Sequence, residues 1–212
     1  MKTISIKSLS IPDVKIIRFA RFNDNRGFFT EPFRQSDTTN LQEVKSLSGA
    51  SLLQMNESYS SAGVCRGLHF QWKPFMGKLV RTIHGRMIDV VLDIRKGSPT
   101  LGKVTAYDMP GSLTDPHDEW IWVPPGFAHG NFFTADSRIE YLCTGEYSPN
   151  SEAGVSPLST DLDWSLCPPE LKSLFDEVVR KNGILSEKDR NGLSLKKWLD
   201  DSRSDNFVYG KC

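Results

Sequence analysis

The sequence predicts a mainly β protein of the sandwich or jelly-roll kind, and three observations carry that expectation. Between residues 14 and 147, short runs rich in β-branched and aromatic side chains recur between clusters of turn residues. No helix-period stretch lies between them, as a βαβ arrangement would require. Helical periodicity long enough for a regular amphipathic helix starts only after residue 168. The expected organisation is a single domain over 1–212, with a β-body at about 11–150 and a helical C-terminal segment at about 168–200.

Strands are predicted at 14–22, 27–33, 51–57, 64–71, 78–84, 87–94, 103–109, 119–123, 128–134 and 138–147. Asp24-Asn25-Arg26-Gly27, His84-Gly85, Lys96-Gly97-Ser98-Pro99 and Met109-Pro110-Gly111-Ser112 supply the Gly, Pro, Asn and Ser chemistry of tight reversals between them. A short helix is expected near 38–47 as an excursion between strands. In the sixth strand, alternation puts Ile88, Val90, Leu92 and Ile94 on one face and Asp89 and Asp93 on the other, which reads as one buried face. Pro168-Pro169-Glu170 opens a helix whose Leu171, Leu174, Phe175, Val178 and Val179 form one apolar stripe, closed by Asn182-Gly183. Ser186-Glu187-Lys188-Asp189 resembles a capping box and opens a second helix, weakened at Gly192. The polar tail 202–212 is expected to fray.

A chain of 212 residues with 26 basic and 26 acidic side chains is large enough for one self-sufficient core and carries no net charge. That balance argues against a nucleic-acid partner, since phosphate neutralisation calls for a basic excess. No apolar run is long enough for a membrane span, and the first ten residues, MKTISIKSLS, lack a signal-peptide core, so a cytoplasmic protein is expected. Cys65, Cys143, Cys167 and Cys212 form no CxxC pair and are expected to be reduced. Cys65 and Cys143, inside strand-like runs, read as small buried hydrophobes.

Four histidines, His69, His84, His117 and His129, are the first candidates for proton chemistry. His69 sits in Cys65-Arg66-Gly67-Leu68-His69-Phe70-Gln71, a strand whose Arg and Gln an apolar core would not accept unpaired. Simple alternation puts Arg66 on the face opposite His69, so the two share a pocket only if a bulge intervenes, for which Gly67 is the candidate. The turn Pro124-Pro125-Gly126 followed by Phe127-Ala128-His129 resembles the second half of the cupin metal motif. The first half is incomplete, with Gly67 two before His69, and two histidines fall short of the three or four protein ligands a first-row metal usually takes. No metal and no cofactor are expected.

Five strings, Arg26-Gly27-Phe28-Phe29-Thr30-Glu31, Arg66 to Gln71, Gly77-Lys78-Leu79-Val80-Arg81, Asp93-Ile94-Arg95-Lys96-Gly97-Ser98-Pro99-Thr100 and Pro125 to Gly130, together resemble dTDP-4-dehydrorhamnose 3,5-epimerases in order and spacing. The resemblance implies a metal-free cupin jelly roll, usually a homodimer, acting on a nucleotide-linked 4-keto-6-deoxy sugar. It implies His69 as base, Asp189 as its carboxylate partner, Tyr141 as the acid on the other side of the sugar, and Lys78 facing the C4 oxygen. Arg26, Phe29, Glu31, Gln54, Asn56, Arg66, His129 and Tyr147 match positions that line the nucleotide and sugar pocket. Glu57, Cys65 and the stretch Asp118 to Trp122 differ from the family's common text, as does the extension past Asp189.

The chemistry suits these residue types. A ketone at C4 acidifies the hydrogens at C3 and C5, because their removal leaves an enolate with charge on oxygen. Inversion needs a base on one face and a proton donor on the other. Without the resemblance, Asp189 reads as the N3 residue of a Ser186-capped helix, Tyr141 as a core residue and Lys78 as a strand-end cation. A sugar-nucleotide 3,4-ketoisomerase, a metal-dependent cupin enzyme and a non-catalytic sugar-nucleotide sensor are the alternative readings.

Overall fold

The computed structural model describes residues 2–181 and 183–212. Its strands are β1 (Thr3–Ser8), β2 (Lys15–Ala20), β3 (Phe22–Asp24), β4 (Gly27–Phe29), β5 (Gln54–Ser60), β6 (Cys65–Gln71), β7 (Lys78–His84) and β8 (Arg86–Asp93). They continue as β9 (Val104–Pro110), β10 (His117–Val123), β11 (Phe127–Phe133), β12 (Ser137–Cys143) and β13 (Glu152–Gly154), followed by α1 (Pro169–Arg180), α2 (Glu187–Arg190) and α3 (Leu195–Asp200). A six-stranded sheet in the order β1-β2-β10-β7-β12-β5 and a five-stranded sheet in the order β13-β6-β11-β8-β9 form the body, while β3 and β4 pair only as a two-stranded hairpin. The mainly β expectation holds, with the helices at the C-terminal end.

Strand alternation assembles three apolar layers from the two sheets. Val80, Ile121 and Ile139 of the larger sheet meet Met87, Val91, Phe127 and Phe133 of the smaller one to fill the space between them. The outer face of the smaller sheet, with Leu68, Phe70, Ile88, Val90 and Phe132, is covered by Leu171, Phe175, Trp198 and Phe207 from the C-terminal segment. The outer face of the larger sheet, with Ile17, Leu79, Trp120 and Trp122, is covered by Leu41, Val44 and Leu47. β8 therefore has two buried faces rather than the single one expected: Val90 and Leu92 face the helices, and Asp89 and Val91 face the interior.

The segment expected as a helix near 38–47 is instead a 3-10 turn at Gln35–Asn40 followed by further turns. The apolar residues Leu41, Val44 and Leu47 repeat every third residue, and the backbone follows them with i to i−3 hydrogen bonds, Val44 N–H to Leu41 O and Leu47 N–H to Val44 O, both at 2.8 Å. The predicted strand over 27–33 stops at Phe29, ahead of Pro32, which has no N–H to donate to a ladder. β1, whose side chains are mostly exposed, carried too little apolar signal to be predicted.

α1 forms as predicted; its expected stop at Asn182-Gly183 falls partly outside the described residues. The second helix divides into α2 and α3, because at Gly192 the chain passes so close to Ser156 that a Cβ would lie 2.8 Å from its backbone nitrogen. The tail does not fray. Ser204 and Phe207 are fully buried, and Lys96 and Tyr209 exchange backbone hydrogen bonds with it and with the β-body, Lys96 N–H to Phe207 O at 2.8 Å and Tyr209 N–H to Lys96 O at 3.0 Å. One phenylalanine explains the difference: Phe207 packs edge-on against Phe70, Trp72, Phe75 and Trp198, and the polar residues around it are carried in with it.

Candidate active site

Gly67 sets up the site. The β6–β11 ladder pairs His129 with His69 but Asn131 with Arg66, so β6 spends one more residue than β11 over that stretch. This is the bulge that alternation required, and it brings Arg66 and His69 to one cavity. Gly67 has φ +110, and a Cβ there would stand 2.6 Å from Gly130 Cα, so only glycine fits.

The cavity opens between the two sheets as adjoining spaces of about 380 and 280 Å³, and His69, Lys78, His129 and Tyr141 line both. His69 lies on β6 and His129 on β11 of the five-stranded sheet, whereas Lys78 on β7 and Tyr141 on β12 belong to the six-stranded sheet. The two groups thus stand on facing walls. These four residues come from two pairs of consecutive strands, β6–β7 and β11–β12, whose members lie in different sheets, so they are gathered by sheet pairing rather than by any local motif.

His69 Nε2 is 2.6 Å from Asp189 Oδ1, with the imidazole about one-third exposed and the carboxylate 7% exposed. α2 holds that carboxylate in place: Ser186 caps the helix by accepting the Asp189 N–H at 3.1 Å, leaving the side chain to reach β6. The capping role and the histidine-pairing role are both filled by one residue. Burial alone would raise the Asp189 carboxyl, but the hydrogen bond and charge of His69, with donors from Ser186 and Gly67, hold it below the usual carboxylate range. With Nε2–H donating to a carboxylate, Nδ1 is the ring nitrogen left with a free lone pair.

On the facing wall, burial pulls the Lys78 amine below its ordinary value, opposed by Cys143, Asp89 and Glu152. Burial pushes the Tyr141 hydroxyl above its ordinary value, so it stays protonated well into alkaline conditions. Gln54, Asn56 and Tyr147 also line the cavity; Gln54 donates to Asn56 Oδ1 at 2.9 Å and accepts the Tyr147 N–H at 2.8 Å.

Arg26, Phe29 and Glu31, expected in the pocket, do not line it in this chain. They lie on or just after the β3–β4 hairpin, which pairs with neither sheet and so points its side chains away from the interior. Arg26 turns back to Asp24 at 2.6 Å, Glu31 meets Arg34, and the Phe29 ring is 68% exposed.

Among the residues that sequence reasoning missed are Glu152 and Asn131, which line the cavity, and Asp89, which is buried behind His129. Asp89 is fully buried and holds His129 Nε2 at 2.7 Å, a second histidine–carboxylate pair. Glu152, on β13, accepts from Tyr147 Oη at 2.9 Å and pairs with Lys188. Asn131 follows His129 by two on the same strand face. Parity would have found Asp89 and Asn131 once both faces of β8 and β11 were taken as buried. Among the described residues, no three His, Cys, Asp or Glu side chains converge as a metal site. Cys65, buried beside Asp189, has its thiol pushed up to about 12, far from a thiolate nucleophile.

A family model described as dTDP-4-dehydrorhamnose 3,5-epimerase matches residues 8–197. The chain belongs to that family. It is accordingly an isomerase-class enzyme with a cupin-type barrel. A dTDP-4-dehydrorhamnose 3,5-epimerase of Sinorhizobium fredii (strain NBRC 101917 / NGR234) is 44% identical over 153 residues, covering 70% of this chain and 73% of that protein. One from Shigella flexneri is 35% identical over 193 residues, 89% of this chain and 94% of that one. Among solved structures, the dTDP-6-deoxy-D-glucose-3,5-epimerase of Legionella pneumophila Philadelphia 1, in complex with dTDP-4-keto-L-rhamnose, superposes with a TM-score of 0.76 at 32% identity, covering 96% of this chain and 97% of that one.

Two departures from the family's common text find structural partners. Asp118 accepts from Arg21 at 3.2 Å, Arg81 at 2.7 Å and the Trp120 indole at 2.9 Å, so two arginines balance its charge. Glu57, at the cavity rim, pairs with Arg138 at 2.6 Å. No helix among the described residues is long and apolar enough to cross a membrane.

Proposed function

We propose that this protein inverts C3, C5 or both in a thymidine diphosphate-linked 4-keto-6-deoxyhexose, moving protons with its own side chains and no cofactor. One observation carries the reading: a histidine backed by a buried carboxylate on one wall of a cavity, with a lysine and a protonated tyrosine on the wall facing it. The Legionella relative, bound to a dTDP-4-keto sugar, supports the choice of substrate.

In this scheme Nδ1 of His69 takes the proton from C3 or C5, and the electrons of that C–H bond move onto the C4 oxygen. The imidazolium is stabilised by Asp189, the division of labour of a hydrolase triad. Lys78 supplies positive charge to the enolate oxygen, and a preorganised donor of this kind is worth about 10² to 10³ in rate. Tyr141 then gives its hydroxyl proton to the carbon from the opposite face, inverting the centre. The tyrosine regains a proton from water and the histidine releases its own, closing the cycle. Arg66 is a rim cation for the diphosphate, and its fork matches phosphate oxygens bidentately. Gln54, Asn56, Tyr147 and His129 contact the sugar and nucleotide.

The exposed hairpin fits a homodimer in which Arg26 and Phe29 of one copy reach the nucleotide end of the other copy's cavity, with Glu31 beside them. Four free cysteines and a nucleotide-sugar substrate fit work in the cytoplasm. The test is incubation of the protein with dTDP-4-keto-6-deoxyglucose in heavy water, followed by NMR. Deuterium at C3, C5 or both, with inverted configuration, is expected from a sample that sediments as a dimer. A carbonyl moved to C3, or no exchange at all, would contradict the assignment.

A further inference from the structure

On β11 the side chains of residues 127, 129, 131 and 133 share the face turned to the barrel interior: Phe127 and Phe133 join its apolar core, and His129 and Asn131 line its cavity. Asn131 is 8% exposed, and its Oδ1 is buried without a hydrogen-bond partner. Directly across the β8–β11 ladder stands Asp89, whose Oδ2 holds His129 while its Oδ1 is likewise buried and unpartnered. Asn131 lines the space of about 280 Å³, with Asp89 paired to it on the neighbouring strand, and two unsatisfied buried oxygens on paired residues are a costly arrangement unless something entering the cavity supplies a donor to the asparagine. An apolar residue at 131, like its strand neighbours Phe127 and Phe133, would carry no such penalty.

We propose that Asn131 is a specificity residue that grips the C2 hydroxyl of the hexose, accepting its hydrogen through Oδ1 and donating to its oxygen through the amide. This rests on the epimerase reading above and extends it. Two points of geometry select C2. The ladder partner of Asn131 is Arg66, the cation expected at the diphosphate, whereas the partner of His129 is His69, at the proton-transfer end. C2 is the hydroxyl-bearing carbon next to the anomeric carbon that carries the diphosphate. The C3 hydroxyl, moreover, changes face whenever C3 inverts, and a buried amide with fixed strand neighbours cannot follow it, whereas the C2 hydroxyl keeps its configuration throughout.

The test compares wild type, Asn131→Leu and Asn131→Asp on dTDP-4-keto-6-deoxyglucose and on its 2-deoxy analogue. Calorimetric Kd and solvent-deuterium exchange are both read, and thermal unfolding checks that each variant is folded. Wild type is expected to favour the 2-hydroxy compound by about 10- to 100-fold in kcat/KM and in affinity. Asn131→Leu should bring the two compounds within about twofold by weakening the 2-hydroxy one alone, while Asn131→Asp, which keeps the acceptor, should retain part of the preference. A purely structural asparagine would lower both compounds equally. Undiminished discrimination in Asn131→Leu, or none in wild type, overturns the proposal. Absence of exchange in wild type would sink the epimerase reading, and the affinity ratio would still decide the role of Asn131.

Discussion

Replacing His69 by glutamine is expected to lower solvent-deuterium exchange of the substrate's ring hydrogens by about 10² to 10⁴, the usual worth of a positioned general base. Glutamine is the informative choice because its amide nitrogen reaches where Nε2 sits, so Asp189, 7% exposed and 2.6 Å away, keeps a donor and is not left as a stranded buried charge. The base is lost while the fold is spared. dTDP affinity and thermal stability should therefore stay near wild type, and exchange at the wild-type rate would remove His69 from its assigned role.

Lys78→Met should cost about 10² to 10³ in kcat with a smaller change in KM, since the charge on the C4 oxygen is present only after proton removal. The pH dependence separates Lys78 from Tyr141. Both must hold a proton to act, but burial lowers the lysine from its ordinary value and raises the tyrosine from its own. Both shifts act in the direction that lets Lys78 lose its proton sooner than an ordinary lysine and Tyr141 later than an ordinary tyrosine, so the alkaline fall in kcat is expected to follow Lys78. Lys78→Arg, which stays charged, should move that fall to higher pH. An alkaline limb unchanged in Lys78→Arg would show that another group sets it.

What the sequence made legible follows from strand parity. The strand runs that hold His69, Lys78, His129 and Tyr141 were legible, but Tyr141 and Lys78 entered the site only through the family resemblance, since by residue type alone they read as a core tyrosine and a strand-end cation; the facing sheets bring all four to one cavity. Arg66 joined them through a bulge that a glycine betrayed. By local pattern alone Asp189 read as a helix-capping position, and only the family resemblance paired it with His69, because that partner lies 120 residues away and no local pattern records such a contact. Asp89 and Asn131 were hidden by the assumption that a polar residue in a strand faces water; in a barrel covered on both sides, such a residue faces the interior, where Asn131 reaches the cavity and Asp89 is buried against His129. The tail was misjudged for the complementary reason, that Phe207 alone outweighs the polar residues around it. The hairpin is the converse case: its residue types suit a nucleotide, yet within one chain nothing draws them to the cavity.

The central claim is that proton removal and proton delivery are performed from facing walls by different groups. Tyr141→Phe in heavy water, with deuterium loss and configuration followed at each carbon of the same sample, tests it most directly. Hydrogens next to the ketone are expected still to wash out at a substantial fraction of the wild-type rate, through His69, while inverted product forms far more slowly. Parallel loss of washout and inversion would contradict it, since one group would then be carrying both steps.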